Sequence, residues 1–177
     1  AASAMIDCAD PAIIKLAEAA ARSPQELAPA ETAERLRRAV YRHIRKKNLG
    51  TRFASATSVA ESREGDCSEH AVLLGALLRA RGVPARVASG LIYADQFAGS
   101  EGIFGYLMWT QALLESDGAI RWVDLDATLP PEFPYDATHI TISVSPLNDD
   151  DATTSLAGIA TLMGRVAIEV ESVEHAP

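Results

Sequence analysis

The sequence predicts an α+β fold: N-terminal helices, one of them buried and cysteine-bearing, packed on an antiparallel β-sheet. Three observations carry this. Up to Arg81 the apolar residues recur at helical spacing. From Pro84 onward the pattern changes to strand-like segments rich in Val, Ile, Leu and aromatic residues. Ser116-Asp117-Gly118 lies between two of these segments, and Asp-Gly supplies the positive φ that a tight antiparallel hairpin needs. Helices first and strands after is the order of an α+β domain rather than of alternating βα units.

The elements follow in order. Asp10-Pro11 starts a short helix through Ile13, Ile14, Leu16 and Ala17, ending near Arg22. Ser23-Pro24-Gln25-Glu26 has the pattern of a capping box. A longer helix is expected over 30–47, with Ala33, Leu36, Val40 and Ile44 as its buried stripe. Arg35, Arg37, Arg38, Arg42, Arg45, Lys46 and Lys47 make it basic, and they read as a solvated face. Asn48-Leu49-Gly50 ends it. Thr57 or Ser58 is expected to cap a short helix to Arg63, with Phe53 and Val59 packed over the helix that follows.

That next helix organises the chain. In Arg63-Glu64-Gly65-Asp66-Cys67-Ser68-Glu69-His70-Ala71, Gly65 permits a tight approach and Asp66 is a natural N-cap. Cys67 then falls at the first helical position. The helix runs through Val72, Leu73, Leu74, Ala76, Leu77 and Leu78 to Gly82, with Pro84 just beyond. It is apolar almost all round, so it should be buried.

Strands are expected over 84–93, 106–115 and 119–128, with 94–104 as a loop around Gly99, Ser100 and Gly102. Residues 129–136 form a proline-rich loop, and 139–144 a further strand. Asn148-Asp149-Asp150-Asp151 matches no calcium-loop spacing and reads as a solvated helix entry. Leu156 to Met163 is a short helix, and Arg165 to Val173 a closing strand.

Composition bounds the function. The chain has 177 residues, 48% of them hydrophobic, enough for one domain with a real core. The expected layout is an N-terminal flank over 1–29 and the domain proper over 30–177. Net charge is −8, which argues against a general nucleic-acid or anionic-membrane surface. No apolar run is long enough to span a bilayer. Two cysteines, Cys8 and Cys67, give neither a disulfide framework nor a zinc spacing, so no metal or other cofactor is expected. The chain starts Ala1-Ala2-Ser3 without Met and is expected to be a piece of a longer one.

The placement of Cys67 gives it chemistry. A thiolate is a nucleophile, and the positive end of a helix dipole stabilises it. Backbone N–H groups in the same turn can stabilise an oxyanion. The structural alternative is an inert buried cysteine, the commoner fate of a lone free Cys.

Gly65-Asp66-Cys67-Ser68-Glu69-His70-Ala71, followed by Arg81-Gly82-Val83-Pro84-Ala85-Arg86-Val87, resembles the transglutaminase-like (papain-like) cysteine superfamily in its bacterial branch. Met108-Trp109-Thr110 and Asp126-Ala127-Thr128 match that pattern's later strands. The resemblance covers roughly residues 35 to 170. It implies Cys67 as nucleophile, Asp126 as the residue that orients a histidine, and Trp109 and Asp66 at the substrate cleft. It also implies a peptide or protein substrate or ligand, and an exported home in a bacterium.

One position departs from the pattern. Two residues before Trp109, where the family places its catalytic histidine, this chain has Leu107. Leucine cannot move a proton. Without an imidazolium beside it, the Cys67 thiol should stay near its free value of about 8.5, adjusted by helix dipole and burial. Asp126 would need another partner. Asp124, two residues away on the same strand face, is the weaker orienter. His70 and His139 are the candidate substitute bases, while His43 reads as exposed and His175 lies in the tail. The expectation is a domain with an incomplete triad that lacks standard catalysis and keeps a peptide-binding cleft. The alternative is an active cysteine amidase, protease or protein-glutamine acyltransferase with a substitute base.

Overall fold

The computed structural model describes residues 2–47, 53–97, 99–133 and 135–149, together with 165, 168, 169 and 172. Among the described residues four helices, α1 (Pro11–Ala20), α2 (Pro29–His43), α3 (Ala56–Ser62) and α4 (Cys67–Ala80), precede four strands. The strands are β1 (Ala85–Phe97), β2 (Ser100–Ser116), β3 (Ala119–Leu125) and β4 (His139–Ser145). They form one antiparallel sheet in the order β3-β2-β1-β4.

α4 is the central element. Asp66 caps it as the sequence predicts. Its Oδ1 accepts the Ser68 N–H at 2.9 Å, and Glu69 Oε2 accepts the Asp66 N–H at 2.9 Å, which completes a capping box. Gly65 is required at this turn, because a Cβ there would sit 2.3 Å from Glu69 Cβ. From Glu69 to Leu78 every residue is buried. Each of Leu73, Leu74, Leu77 and Leu78 contributes about 2 kcal/mol of apolar burial. α1, α2 and α3 pack around α4, and Ile6, Ile13 and Ala17 from the first 29 residues join the same core.

The sheet lays one face on α4 through Ala85, Val87, Ala112 and Leu114, and Thr110 Oγ1 donates to the Ala71 carbonyl at 2.9 Å. Alternation puts Trp109 and Gln111 on the other face. There Arg86 donates to Gln111 Oε1 at 2.7 Å and lies over the Trp122 ring. The turn at Asp117-Gly118 has φ of 53° and 73°, as the Asp-Gly signal predicts.

Several expectations are corrected. The expected loop over 94–104 is largely a long β1–β2 ribbon; Gly99, at φ 85°, makes a tight turn between paired strands. α2 ends at His43 rather than near Lys47, and its N-cap Ala28 makes no side-chain cap bond. Ser23 instead accepts the Gln25 N–H within a loop, so the 23–26 pattern starts no helix. α3 is capped by Ser55, not by Thr57 or Ser58. β3 stops at Leu125, and residues 126–128 form a turn. Arg37 is not on a solvated face: it is 6% exposed. His43 is part-buried, with Nε2 2.8 Å from the Ala60 carbonyl. Asp149 accepts the Ala4 N–H at 2.7 Å and so ties down the N-terminal segment. The helix expected over 156–163 lies outside the described residues. So does most of the strand expected over 165–173, whose described residues, 165, 168, 169 and 172, carry no strand.

Candidate functional site

The candidate site gathers where β3 leaves the edge of β2. Pairing between these strands ends at Thr110–Leu125, so Met108 has no β3 partner. Cys67, half-buried at the start of α4, comes in beside it and takes a hydrogen bond from the Met108 main chain. That bond favours the thiolate, so it is donated to sulfur, and the main-chain donor is N–H. It is outweighed. Burial first, and then the carboxylates of Asp66, Asp126 and Glu69, push the Cys67 thiol up to about 11. The free-like thiol expected from the missing histidine is therefore an underestimate. The cap that builds the helix start also brings negative charge next to sulfur.

Asp126 is the hub. Its Oδ1 accepts both the backbone N–H and the hydroxyl of Thr128, each at 2.7 Å, in the turn after β3. Its Oδ2 lies 3.3 Å from Nε2 of His139, and the two side chains are 0% and 1% exposed. The partner Asp126 needs is thus the first residue of β4. The His139 ring stacks on Tyr135 at 4.2 Å and meets the edge of Trp109 at 5.3 Å. Its other nitrogen, Nδ1, is 3.4 Å from Thr138 Oγ1 and 3.6 Å from Asp136 Oδ1. Asp136 in turn accepts from Thr138, and that bond with its N–H counterpart and His139 holds its carboxyl below the ordinary range.

Trp109 is 1% exposed, so it supports His139 from beneath and presents no open wall. Its indole N–H donates to Asp124 Oδ1 at 2.7 Å, and Gln111 donates to the same oxygen at 2.8 Å. Asp124 therefore anchors the strand face and has no histidine partner among the described residues. Trp109 also fixes Gly90, where a Cβ would meet the Ile140 carbonyl oxygen at 2.0 Å and the indole at 3.0 Å. Leu107, opposite Gly90, shares the Trp109 face.

His70 is 1% exposed, with Nδ1 2.5 Å from the Asp66 carbonyl oxygen. A carbonyl only accepts, so Nδ1 carries the proton. Nε2 is buried with no hydrogen-bond partner among the described residues. Burial pushes the His70 pKa down. A neutral ring of low basicity is badly matched for taking a proton from a thiol near 11.

Two participants are missed by sequence reasoning. Tyr135 is hidden in the proline-rich loop, and only an aromatic next to the Asp-Ala-Thr-His run could have flagged it. Arg37 engages all five guanidinium N–H groups: with both carboxylate oxygens of Glu34 and with the carbonyls of Asp126, Leu129 and Pro131. It fastens the loop that carries Asp126 to α2. Between them lies a cavity of about 360 Å³ that Asp126 borders and Cys67 does not. Among the described residues no group of His, Cys, Asp and Glu is arranged to hold a metal ion, and no helix is long and apolar enough to cross a membrane.

Residues 15–127 match the family model for the transglutaminase-like superfamily. No curated protein matches the chain. Among solved structures, one described as a "Putative Cysteine Protease from Cytophaga hutchinsonii" superposes with a TM-score of 0.62 at 22% identity, covering 86% of this chain. This chain spans 47% of that protein's length. A second, described as a "Putative Protease from Parabacteroides distasonis ATCC 8503", gives a TM-score of 0.44 at 16% identity, over 63% of this chain and 22% of the other. With its cysteine helix, its antiparallel sheet and a family match over most of its length, the chain belongs to the transglutaminase-like superfamily.

Proposed function

We propose that this transglutaminase-like domain lacks triad catalysis and serves as a peptide-binding module. The observation that carries the reading is the engagement of His139. Its Nε2 faces Asp126 and its Nδ1 faces Thr138 and Asp136, so neither ring nitrogen is left for Cys67. Leu107 supplies no base, and His70 is pushed away from basicity by burial. The thiol, at about 11, is almost wholly protonated at neutral pH and is a poor nucleophile. The test is the pH dependence of Cys67 alkylation by iodoacetamide in a Cys8→Ser background. An apparent pKa above the free value of about 8.5 is expected, and one below about 7 would overturn the reading.

A second reading has one observation in its favour. A buried histidine paired with Asp126 is the base-and-orienter unit of a cysteine amidase, protease or acyltransferase. It requires His139 Nδ1 to leave Thr138 and turn to the thiol. Under it, His139→Gln abolishes amide hydrolysis and acyl transfer from model glutamine peptides; under the binding reading, neither protein has such activity.

A further inference from the structure

We infer that the cavity between α2 and the loop after β3 is a subsite for a cationic alkyl side chain, the ammonium or guanidinium of a basic residue. Its volume of about 360 Å³ suits one long side chain. The peptide carrying that residue rests on the binding-module reading; the preference for a cation does not.

The charge balance of the walls decides the sign. Arg37 and Arg38 line the cavity, which at first suggests an anion. Arg37 has no donor left, because all five of its N–H groups are engaged by Glu34 and three loop carbonyls. Arg38 is tied to Glu34 at 2.6 Å, and its side chain is 48% exposed, so its free end faces water. Opposite them stand the carboxylates of Asp124 and Glu132; Asp126 also borders the cavity, but its carboxylate is turned inward to Thr128 and His139. Asp124 Oδ1 serves Trp109 and Gln111, while its Oδ2 has no hydrogen-bond partner among the described residues. A cation entering the cavity would meet the carboxylates of Asp124 and Glu132, while Arg37 has its donors engaged and the spare donors of Arg38 face water at the rim.

The aromatic wall points the same way. Phe133 is 57% exposed at the rim, although it is a large apolar ring, and Tyr135 lines the cavity beside it. Aromatic faces beside carboxylates attract alkylammonium and guanidinium groups. Burial, with Asp124 and Asp126 nearby, raises the Tyr135 pKa, so its hydroxyl stays protonated and can donate to a ligand carbonyl. The same Tyr135 ring stacks on His139, so occupancy of the cavity is felt at the buried pair.

The experiment is an NMR titration of the folded domain at low salt with Nα-acetyl-lysine N-methylamide, against its neutral isostere Nα-acetyl-norleucine N-methylamide. The lysine probe should saturate and shift resonances around Phe133 and Tyr135, and the norleucine probe should bind at least about fivefold more weakly. Glu132→Gln and Phe133→Ala, both at solvent-accessible positions, should each weaken the lysine probe about two- to fivefold without unfolding the domain. Cys67→Ala should leave its affinity unchanged, which keeps this result independent of the chemistry of the thiol. Equal affinity for both probes, absence of saturation, or indifference to both of those variants would overturn the inference.

Discussion

His139 Nε2 lies 3.3 Å from Asp126 Oδ2, with both side chains shielded from water. The contact ties the first residue of β4 to the turn after β3, across the proline-rich loop. Removing the ring leaves Oδ2 of a buried carboxylate unpaired while Oδ1 keeps Thr128, so His139→Ala should destabilise the domain by about 3 kcal/mol in urea unfolding. Asp126→Asn removes the charge and keeps the acceptor for Thr128, and should cost about 1 kcal/mol. Equal costs would mean that the pair carries no charge interaction.

The thiol gives stability a pH dependence. The folded pKa of Cys67, about 11, is raised above its unfolded value. Its contribution is therefore fully present below about pH 8.5 and is lost as pH rises toward 11, at up to about 1.4 kcal/mol per unit. Urea midpoints measured between about pH 8 and about pH 10.5 should fall more steeply in the parent than in Cys67→Ala. Parallel slopes would contradict the burial of the thiol.

Leu107→His tests the missing base. The new ring would stand one residue from Met108, whose main chain bonds the thiol, but Asp126 is already held by His139. The single variant should lower the apparent alkylation pKa of Cys67 modestly. Adding His139→Gln, which frees Asp126 Oδ2 for the new ring, should lower it further. A double variant no lower than the single would mean that position 107 does not face the thiol.

Arg37 should be irreplaceable. Arg37→Ala takes their guanidinium donor from three loop carbonyls, leaves Glu34 with Arg38, and should cost at least about 3 kcal/mol. Lysine cannot reproduce the planar fork, so Arg37→Lys should recover less than half of that loss in the same unfolding measurement.

Most of the fold is legible in the chain because its signals are local. Asp66, Gly65, Gly82 and Asp117-Gly118 each mark a boundary through their own backbone chemistry. The errors arise where pairing overrides local cues. Gly99 and Gly102 read as a loop, yet they sit in and beside the turn of a ribbon whose partner strand is what holds it extended. Arg37 reads as one of seven surface cations, because a sequence does not say which helix face meets the 126–131 loop. At the site, Cys67 and Asp126 are readable from motif, and His139 stands out as a candidate base. What cannot be read is the bulge between Ser89 and Gly90 and the strand order that sets β4 beside β1. These bring His139 to Asp126 and turn its second nitrogen toward Thr138.

His139 and Cys67 do not share a proton in the binding-module reading. The measurement is nitrogen-resolved NMR of the His139 ring against pH, in the Cys8→Ser protein and again with Cys67→Ala added. The same ring-nitrogen shifts and the same tautomer are expected in both proteins at every pH. Ring-nitrogen shifts or a tautomer that change when the sulfur is removed would show that thiol and imidazole are coupled, and the domain would then have to be treated as a cysteine enzyme.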